Sequence, residues 1–112
     1  MDADAFARDW IAGWNARDLD AILSHYADDV TFLSPRALEV AGSARIVGKP
    51  ALRAYWTKAL ARNATLHFEL ERVYAGVDCI AIAYISNGAT RVCETMEFRD
   101  GLVVRGIVAH AV

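Results

Sequence analysis

The chain has 112 residues, a length that suits one domain with a single core. Hydrophobic residues make up 55% and charged residues 23%, which is the composition of a chain that folds. The formal net charge is -2 and no basic run occurs, so we expect no nucleic-acid partner, which would need a clustered cationic face.

The N-terminus and the cysteines favour a cytoplasmic protein. The first ten residues, MDADAFARDW, are acidic and lack the apolar run of a signal peptide. No stretch of roughly eighteen apolar residues occurs, so we expect no membrane partner. Cys79 and Cys93 lie in no metal-binding spacing, and we interpret both as reduced thiols. No repeat or linker interrupts residues 1–112, which we predict to be one domain.

Two helices are predicted first. Asp2 or Asp4 can cap the first helix, and the break at residues 15–17 ends it. Asp18 can cap a short second helix that ends at Asp28-Asp29. The apolar faces of the two helices are Phe6, Trp10, Gly13 and Trp14, and then Leu19, Ile22, Leu23 and Tyr26.

A strand, a long loop and a third helix follow. Residues 30–34 alternate with Val30, Phe32 and Ser34 on one side, and Pro35 stops the strand. Residues 36–47 are predicted to be irregular, with the length of a functional lid. Gly48-Lys49-Pro50 begins the third helix. Its apolar face is Leu52, Tyr55, Trp56, Ala59 and Leu60.

The remaining chain is predicted to be four strands joined by hairpin turns. Residues 65–74 alternate, residues 75–78 form a turn, and residues 79–85 are apolar on both faces. The Asn87-Gly88 turn leaves two registers open. A two-residue loop pairs Tyr84 with Arg91. We favour a three-residue loop, Ser86-Asn87-Gly88, because it pairs Ile82 with Val92 and Ile80 with Glu94, which keeps the bulky residues on one face.

The last hairpin, residues 91–112, turns at Asp100-Gly101. Glu94 falls on the apolar face of its first strand, where a carboxylate must find a partner or take up a proton. The dry face of the second strand is Val104, Gly106, Val108 and His110. One face thus carries a carboxyl and an imidazole. The structural alternatives are an ion pair between Glu94 and an arginine, and a frayed C-terminus at His110.

Helices segregated from a mostly antiparallel sheet indicate the α+β class. Three N-terminal helices can cover one face of a strongly curved sheet. The resulting cone would have a mouth and an apolar interior.

This order and several local motifs resemble the nuclear transport factor 2-like superfamily, and within it the SnoaL-like, ketosteroid-isomerase-like group. The motifs are Trp10-xxx-Trp14-Asn15-Ala16-Arg17-Asp18-Leu19-Asp20, His25-Tyr26-Ala27-Asp28-Asp29-Val30, Ser34-Pro35, Gly48-Lys49-Pro50-Ala51-Leu52-Arg53-Ala54-Tyr55-Trp56 and Phe98-Arg99-Asp100-Gly101-Leu102-Val103. The resemblance implies a cystatin-like cone and a homodimer through the outer sheet face. Members include ketosteroid isomerases, polyketide cyclases, dehydratases, epoxide hydrolases and pure binding modules.

The comparison with ketosteroid isomerase implies that one of that enzyme's three catalytic groups is retained in this chain. Its tyrosine donor is matched by Trp10, its aspartate base by Ser34, and its protonated aspartate by Glu94 when the chains are aligned backwards from Phe98. When the chains are aligned from the Asn87-Gly88 turn instead, a residue other than Glu94 matches the protonated aspartate.

We therefore expect a pocket for a small apolar or polycyclic carbonyl compound, with no cofactor and no metal. If the protein is an enzyme, Glu94 would be an acid and His110 a base or relay in isomerisation, cyclisation or hydration. The predicted pocket residues are Trp10, Trp14, Tyr26, Phe32, Ser34, Trp56, Phe68, Tyr84 and Met96. The alternative is a non-catalytic ligand-binding or dimerisation module.

Overall fold

The computed structural model describes all residues 1–112 as four helices and six strands. In chain order they are α1 Ala3–Asn15, α2 Leu19–Leu23, β1 Tyr26–Leu33, α3 Pro35–Ala41, β2 Arg45–Val47, α4 Lys49–Arg62, β3 Phe68–Gly76, β4 Cys79–Ser86, β5 Thr90–Arg99 and β6 Leu102–His110. No helix is both long enough and apolar enough to cross a membrane.

The first two helices begin where their caps predict. Asp2 accepts a hydrogen bond from the Ala5 amide at 3.0 Å, and Asp18 accepts one from the Ala21 amide at 3.1 Å. The predicted end of the second helix is wrong, because α2 stops at Leu23 and β1 begins at Tyr26. Asp28-Asp29 therefore lies within β1, which pairs in parallel with β6.

The predicted loop at residues 36–47 is also wrong, since it contains α3 and β2. The Ser34 side chain caps α3 by accepting from the Arg36 amide at 3.2 Å, and Pro35 occupies the first turn. Gly42 ends the helix with a φ of 81°, a left-handed conformation that glycine adopts without strain. The predicted inward side of β1 is confirmed, because Val30, Phe32 and Ser34 are all buried.

One sheet of order β2-β1-β6-β5-β4-β3 carries the helices. Every neighbouring pair is antiparallel except β1 and β6. The α1 helix packs on β3 and α4 packs on β1, so the helical layer spans the concave face. The Asn15 side chain fastens α1 to β3 through both backbone groups of Phe68, at 2.7 and 2.9 Å. The predicted α+β class and cone are confirmed.

The favoured β4–β5 register is wrong by two residues. The loop has three residues, but they are Asn87, Gly88 and Ala89, so Tyr84 lies opposite Val92 and Ile82 opposite Glu94. Asn87 and Gly88 are both left-handed, with φ values of 53° and 69°, so the turn begins one position later than predicted. A shift of two residues preserves the faces of a strand, and Glu94 still points inward.

The same shift changes which residues lie opposite the two cysteines. Cys79 lies opposite Glu97 and Cys93 opposite Ala83, so the two cysteines do not face each other across the strands. Both are free thiols.

The last hairpin turns at Asp100-Gly101 as predicted, with φ values of 53° and 80° that fit a type I′ turn. One prediction for β6 is wrong. Glu97 pairs with Arg105 and Phe98 with Val103, which leaves Val104 as the extra residue of a bulge. Val103, rather than Val104, is therefore buried in the core.

Candidate functional site

A cavity opens at the end of the cone that carries the β4–β5 loop and the C-terminal end of β6. Its volume is about 130 Å³. It lies between the inward faces of α1 and α4 and the inward faces of β1, β4, β5 and β6. The lining residues are Trp14, Phe32, Ser34, Arg36, Tyr55, Trp56, Ala59, Asn63, Leu66, Phe68, Tyr84, Ser86, Thr90, Val92, Glu94, Val108 and His110.

Glu94 is the buried carboxyl of this cavity. Its side chain projects inward from the middle of β5, and only 7% of the residue is exposed. The Tyr84 hydroxyl, on the neighbouring strand, donates a hydrogen bond to Glu94 Oε1 at 3.0 Å. No arginine forms an ion pair with it, in contrast to the carboxylates of Asp4, Asp20 and Asp29.

The protonation of Glu94 follows from its surroundings. Burial raises its pKa to about 8, and the hydrogen bond from Tyr84 opposes that rise. At pH 7 the carboxyl is therefore protonated in most of the protein molecules. Protein groups bond only Oε1, so Oε2 is left for a molecule in the cavity. A neutral carboxylic acid in an apolar wall is both a hydrogen-bond donor and a proton source.

Three tyrosines whose pKa responds to the charge of Glu94 stay neutral. Burial raises the pKa of Tyr84 and Tyr26 well above the ordinary value, and the nearby Glu94 raises both further. Burial also raises the pKa of Tyr55, and a hydrogen bond from Ser34 opposes that rise. The hydroxyl groups are thus donors or acceptors rather than anions.

Trp10, which the resemblance aligns with the tyrosine donor of ketosteroid isomerase, does not reach the cavity. Trp10 is fully buried, and its Nε1–H donates to the Tyr26 hydroxyl at 3.1 Å. Tyr26 is likewise closed off in the core. The two residues form a buried polar link behind the cavity wall, on the side of Glu94.

Ser34 and Arg36 lie where α3 meets the cavity. Ser34, which the resemblance aligns with the aspartate base of ketosteroid isomerase, lines the cavity and is 3% exposed. Its hydroxyl is already engaged as the α3 cap. A serine in this role holds the helix in place but supplies no carboxylate to the cavity.

His110 lies on the rim. It pairs with Val92 across the last rung of β5 and β6, while Glu94 pairs with Val108. His110 and Glu94 therefore share the inward face of neighbouring strands. His110 is exposed, so its imidazole meets solvent at the mouth.

Six of the nine predicted pocket residues line the cavity: Trp14, Phe32, Ser34, Trp56, Phe68 and Tyr84. Trp10, Tyr26 and Met96 do not line it, because each is at most 1% exposed and packs within the core. Tyr55 and Arg36 line the cavity and were missed. Helical periodicity predicts that Tyr55 faces inward, but it does not indicate how far Tyr55 lies from the mouth of the cavity. Arg36 lies in the segment that was predicted to be irregular.

Two packing details shape the aromatic wall. An added Cβ at Gly106 would lie 2.9 Å from Phe32 Cδ1, so glycine lets the Phe32 ring lie against β6. The Trp14 indole meets Trp56 edge to face at 5.0 Å, and its buried Nε1–H has no hydrogen-bond partner. A ring face is a weak acceptor for such an N–H group.

Comparison with known proteins identifies the family. A model of the SnoaL-like domain matches residues 7–106, which is most of the chain. The chain belongs to the SnoaL-like family. The predicted resemblance to the nuclear transport factor 2-like superfamily is thereby confirmed. No curated protein matches the sequence.

Solved structures share this SnoaL-like fold. A SnoaL-like protein of unknown function from Burkholderia thailandensis is 42% identical, with a TM-score of 0.93 over 98% of this chain and 94% of that one. TerC, co-crystallised with polyporic acid, is 14% identical, with a TM-score of 0.78 over 97% and 92%. A putative polyketide cyclase from Sinorhizobium meliloti is 15% identical, with a TM-score of 0.76 over 89% of each chain.

Proposed function

We propose that this SnoaL-like domain binds a small, largely apolar carbonyl compound in its cavity. The protonated Glu94 would donate a hydrogen bond to the carbonyl oxygen, and the aromatic wall would hold the carbon skeleton. The observation that carries the proposal is the neutral Glu94 carboxyl, paired with Tyr84 and open to the cavity through Oε2.

The chemistry proposed is acid–base catalysis without a cofactor. A carbonyl oxygen that receives a hydrogen bond from Glu94 has a more acidic neighbouring C–H bond, since charge that develops on oxygen is stabilised. His110, at the mouth, would accept that proton directly or through water. The reactions that fit are isomerisation, cyclisation, and hydration or dehydration next to the carbonyl.

Two relatives support a small-molecule ligand of this kind. TerC was crystallised with polyporic acid, and the Sinorhizobium meliloti protein is a putative polyketide cyclase. At 14% and 15% identity these proteins share the fold, so their descriptions suggest compounds to test but do not indicate the reaction.

Exchange of ligand C–H protons with D₂O separates binding from catalysis. We would screen steroids, polyketides, terpenoids and aryl ketones by thermal shift, and then follow α-proton exchange of each binder by NMR. Glu94→Gln should still bind, because the amide can donate to a carbonyl and accept from Tyr84. Its exchange rate should fall by about 10²-fold or more, because an amide is not a proton donor of useful acidity.

Each arm of this experiment has an opposing outcome. Stabilisation by none of the compounds would overturn the ligand class. Equal exchange rates in the wild type and Glu94→Gln would remove Glu94 from the chemistry. An unchanged exchange rate in His110→Ala would exclude His110 as the base.

The second candidate is a non-catalytic ligand-binding module. Ser34 favours it, because a hydroxyl engaged as a helix cap replaces the carboxylate base of the isomerases. Binding without any α-proton exchange in the wild type would support this function over the first.

We also propose a homodimer through the outer sheet face. Ala83, Cys93 and Ala109 lie side by side across β4, β5 and β6, and such small side chains let a second sheet approach closely. Light scattering should give twice the mass of the 12.3 kDa chain for the wild type and a single chain for Ala83→Arg. A monomeric wild type at tens of micromolar would contradict the dimer.

A further inference from the structure

Arg36 is a cation in the cavity lining that has no acidic partner. It follows the Ser34 cap in the first turn of α3 and reaches the mouth of the cavity. Other arginines, including Arg8, Arg53 and Arg99, form ion pairs with carboxylates, whereas Arg36 forms none. Its charge acts on the cavity, because it opposes the rise in the pKa of Tyr55.

No anion in the cavity wall offsets this charge at neutral pH. Glu94 is protonated, and burial keeps Tyr55 and Tyr84 neutral. Another acid of α3, Glu39, acts on the pKa of Tyr55 in the opposite sense to Arg36. It does not line the cavity and forms no ion pair with Arg36. The cavity thus has a neutral donor at its wall and, at its mouth, a cation that forms no ion pair.

The volume of the cavity limits the ligand. About 130 Å³ is close to the roughly 150 Å³ of an apolar protein cavity that accommodates one benzene ring. Edge-to-face and tilted rings, such as Trp14 against Trp56 at 5.0 Å, hold the walls in place. A fused polycyclic skeleton would extend past the rim into solvent.

We propose that the ligand is a compact carbonyl compound of about one ring that carries a carboxylate or a comparable anionic group. Its carbonyl oxygen meets the Glu94 carboxyl, and its anionic group meets the Arg36 guanidinium at the mouth. Arginine binds carboxylates through paired N–H donors, which sets the direction in which the ligand enters. This inference rests on the function proposed above and narrows its ligand.

Matched pairs of compounds test the charge. Phenylpyruvate and phenylacetone differ by a carboxylate in place of a methyl group, as do 4-acetylbenzoate and 4-methylacetophenone. The two pairs place the anion at different distances from the carbonyl. By calorimetry at pH 7, we expect at least one acid to bind about tenfold more tightly than its neutral match, and added NaCl to reduce that preference.

Variants of Arg36 assign the preference to this residue. Arg36→Gln should remove the preference for the acid, because the acid should lose about tenfold more affinity than its neutral match does. Arg36→Lys should retain part of it, since a lysine keeps the charge but loses the paired donors. Arg45→Gln, an exposed arginine on β2 outside the cavity, is the control and should bind as the wild type does.

The outcomes separate this inference from the function on which it rests. Neutral ketones that bind as tightly as their acids, or an acid preference that survives Arg36→Gln, would overturn the anionic ligand alone. Tighter binding of 6-acetyl-2-naphthoate than of 4-acetylbenzoate would overturn the one-ring limit. Binding of none of the four compounds would overturn this inference and count against the proposed carbonyl ligand as well.

Discussion

Replacing Glu94 by glutamine should flatten the dependence of stability on pH. The folded protein holds the proton of this carboxyl with a pKa of about 8, whereas an ordinary glutamate, as in the unfolded chain, has a value of 4.5. A pKa that is higher in the folded state stabilises the fold fully below the unfolded value. That stabilisation is lost as the pH rises through the folded value.

The size of the effect follows from the two pKa values. Between pH 4.5 and 8, stability should fall by about 1.4 kcal/mol per pH unit, on the order of 5 kcal/mol in all. Small domains have total stabilities of roughly 5–15 kcal/mol, so the loss would be large. Glutamine cannot ionise, and its amide can still accept the hydrogen bond from Tyr84.

Urea unfolding at pH 5, 6, 7 and 8 measures this directly. The difference in unfolding free energy between the wild type and Glu94→Gln should change by about 1.4 kcal/mol per pH unit, with the wild type losing stability faster. Glu69→Gln, at an exposed position of β3, is the control and should parallel the wild type. Parallel curves for the wild type and Glu94→Gln would refute a buried, protonated Glu94.

Three other substitutions follow from the contacts of the cavity. Tyr84→Phe removes the hydrogen bond that lowers the pKa of Glu94, so an NMR titration should show that pKa rising above about 8; a fall would contradict the assignment. Gly106→Ala forces a Cβ to within 2.9 Å of Phe32, so urea unfolding should show a loss of about 1–3 kcal/mol, and ligand affinity should fall with it. Ser34→Ala removes the α3 cap and should destabilise the fold by about 1 kcal/mol, whereas Ser34→Asn should restore most of that stability; equal losses would argue against capping.

Much of the fold could be predicted from local patterns. The caps at Asp2 and Asp18 and the Asp100-Gly101 turn each depend on neighbouring residues alone, and the structure contains all three. The signals for α3 were also local, namely the Ser34-Pro35 start and Gly42 at its end. They were overlooked because the intervening residues have little helical periodicity.

The inward position of Glu94 could be predicted because a strand has only two faces. The favoured β4–β5 register was off by two residues, and an even shift leaves every side chain on the same face. The bulge at Val104 is different, because one extra residue reverses the faces on either side of it. Alternation in the sequence does not reveal where such a residue is inserted.

The sequence could not predict how far each residue lies from the mouth of the cavity. Trp10 and Trp14 follow each other by one helical turn, yet Trp14 lines the cavity while Trp10 is closed off behind it. Tyr55 was expected in the core and lies in the cavity wall. The distance of each residue from the mouth depends on how the helices lie across the curved sheet, which is a property of the whole fold.

The proposed chemistry requires Glu94 to be a neutral acid in the cavity at physiological pH. Carbon-13 NMR of the side-chain carboxyl groups of the five glutamates, followed from pH 3 to 10, tests it most directly. One resonance should titrate near pH 8 and be absent from Glu94→Gln. A spectrum in which all five carboxyl groups titrate near the ordinary value of 4.5 would show that Glu94 is ionised at physiological pH.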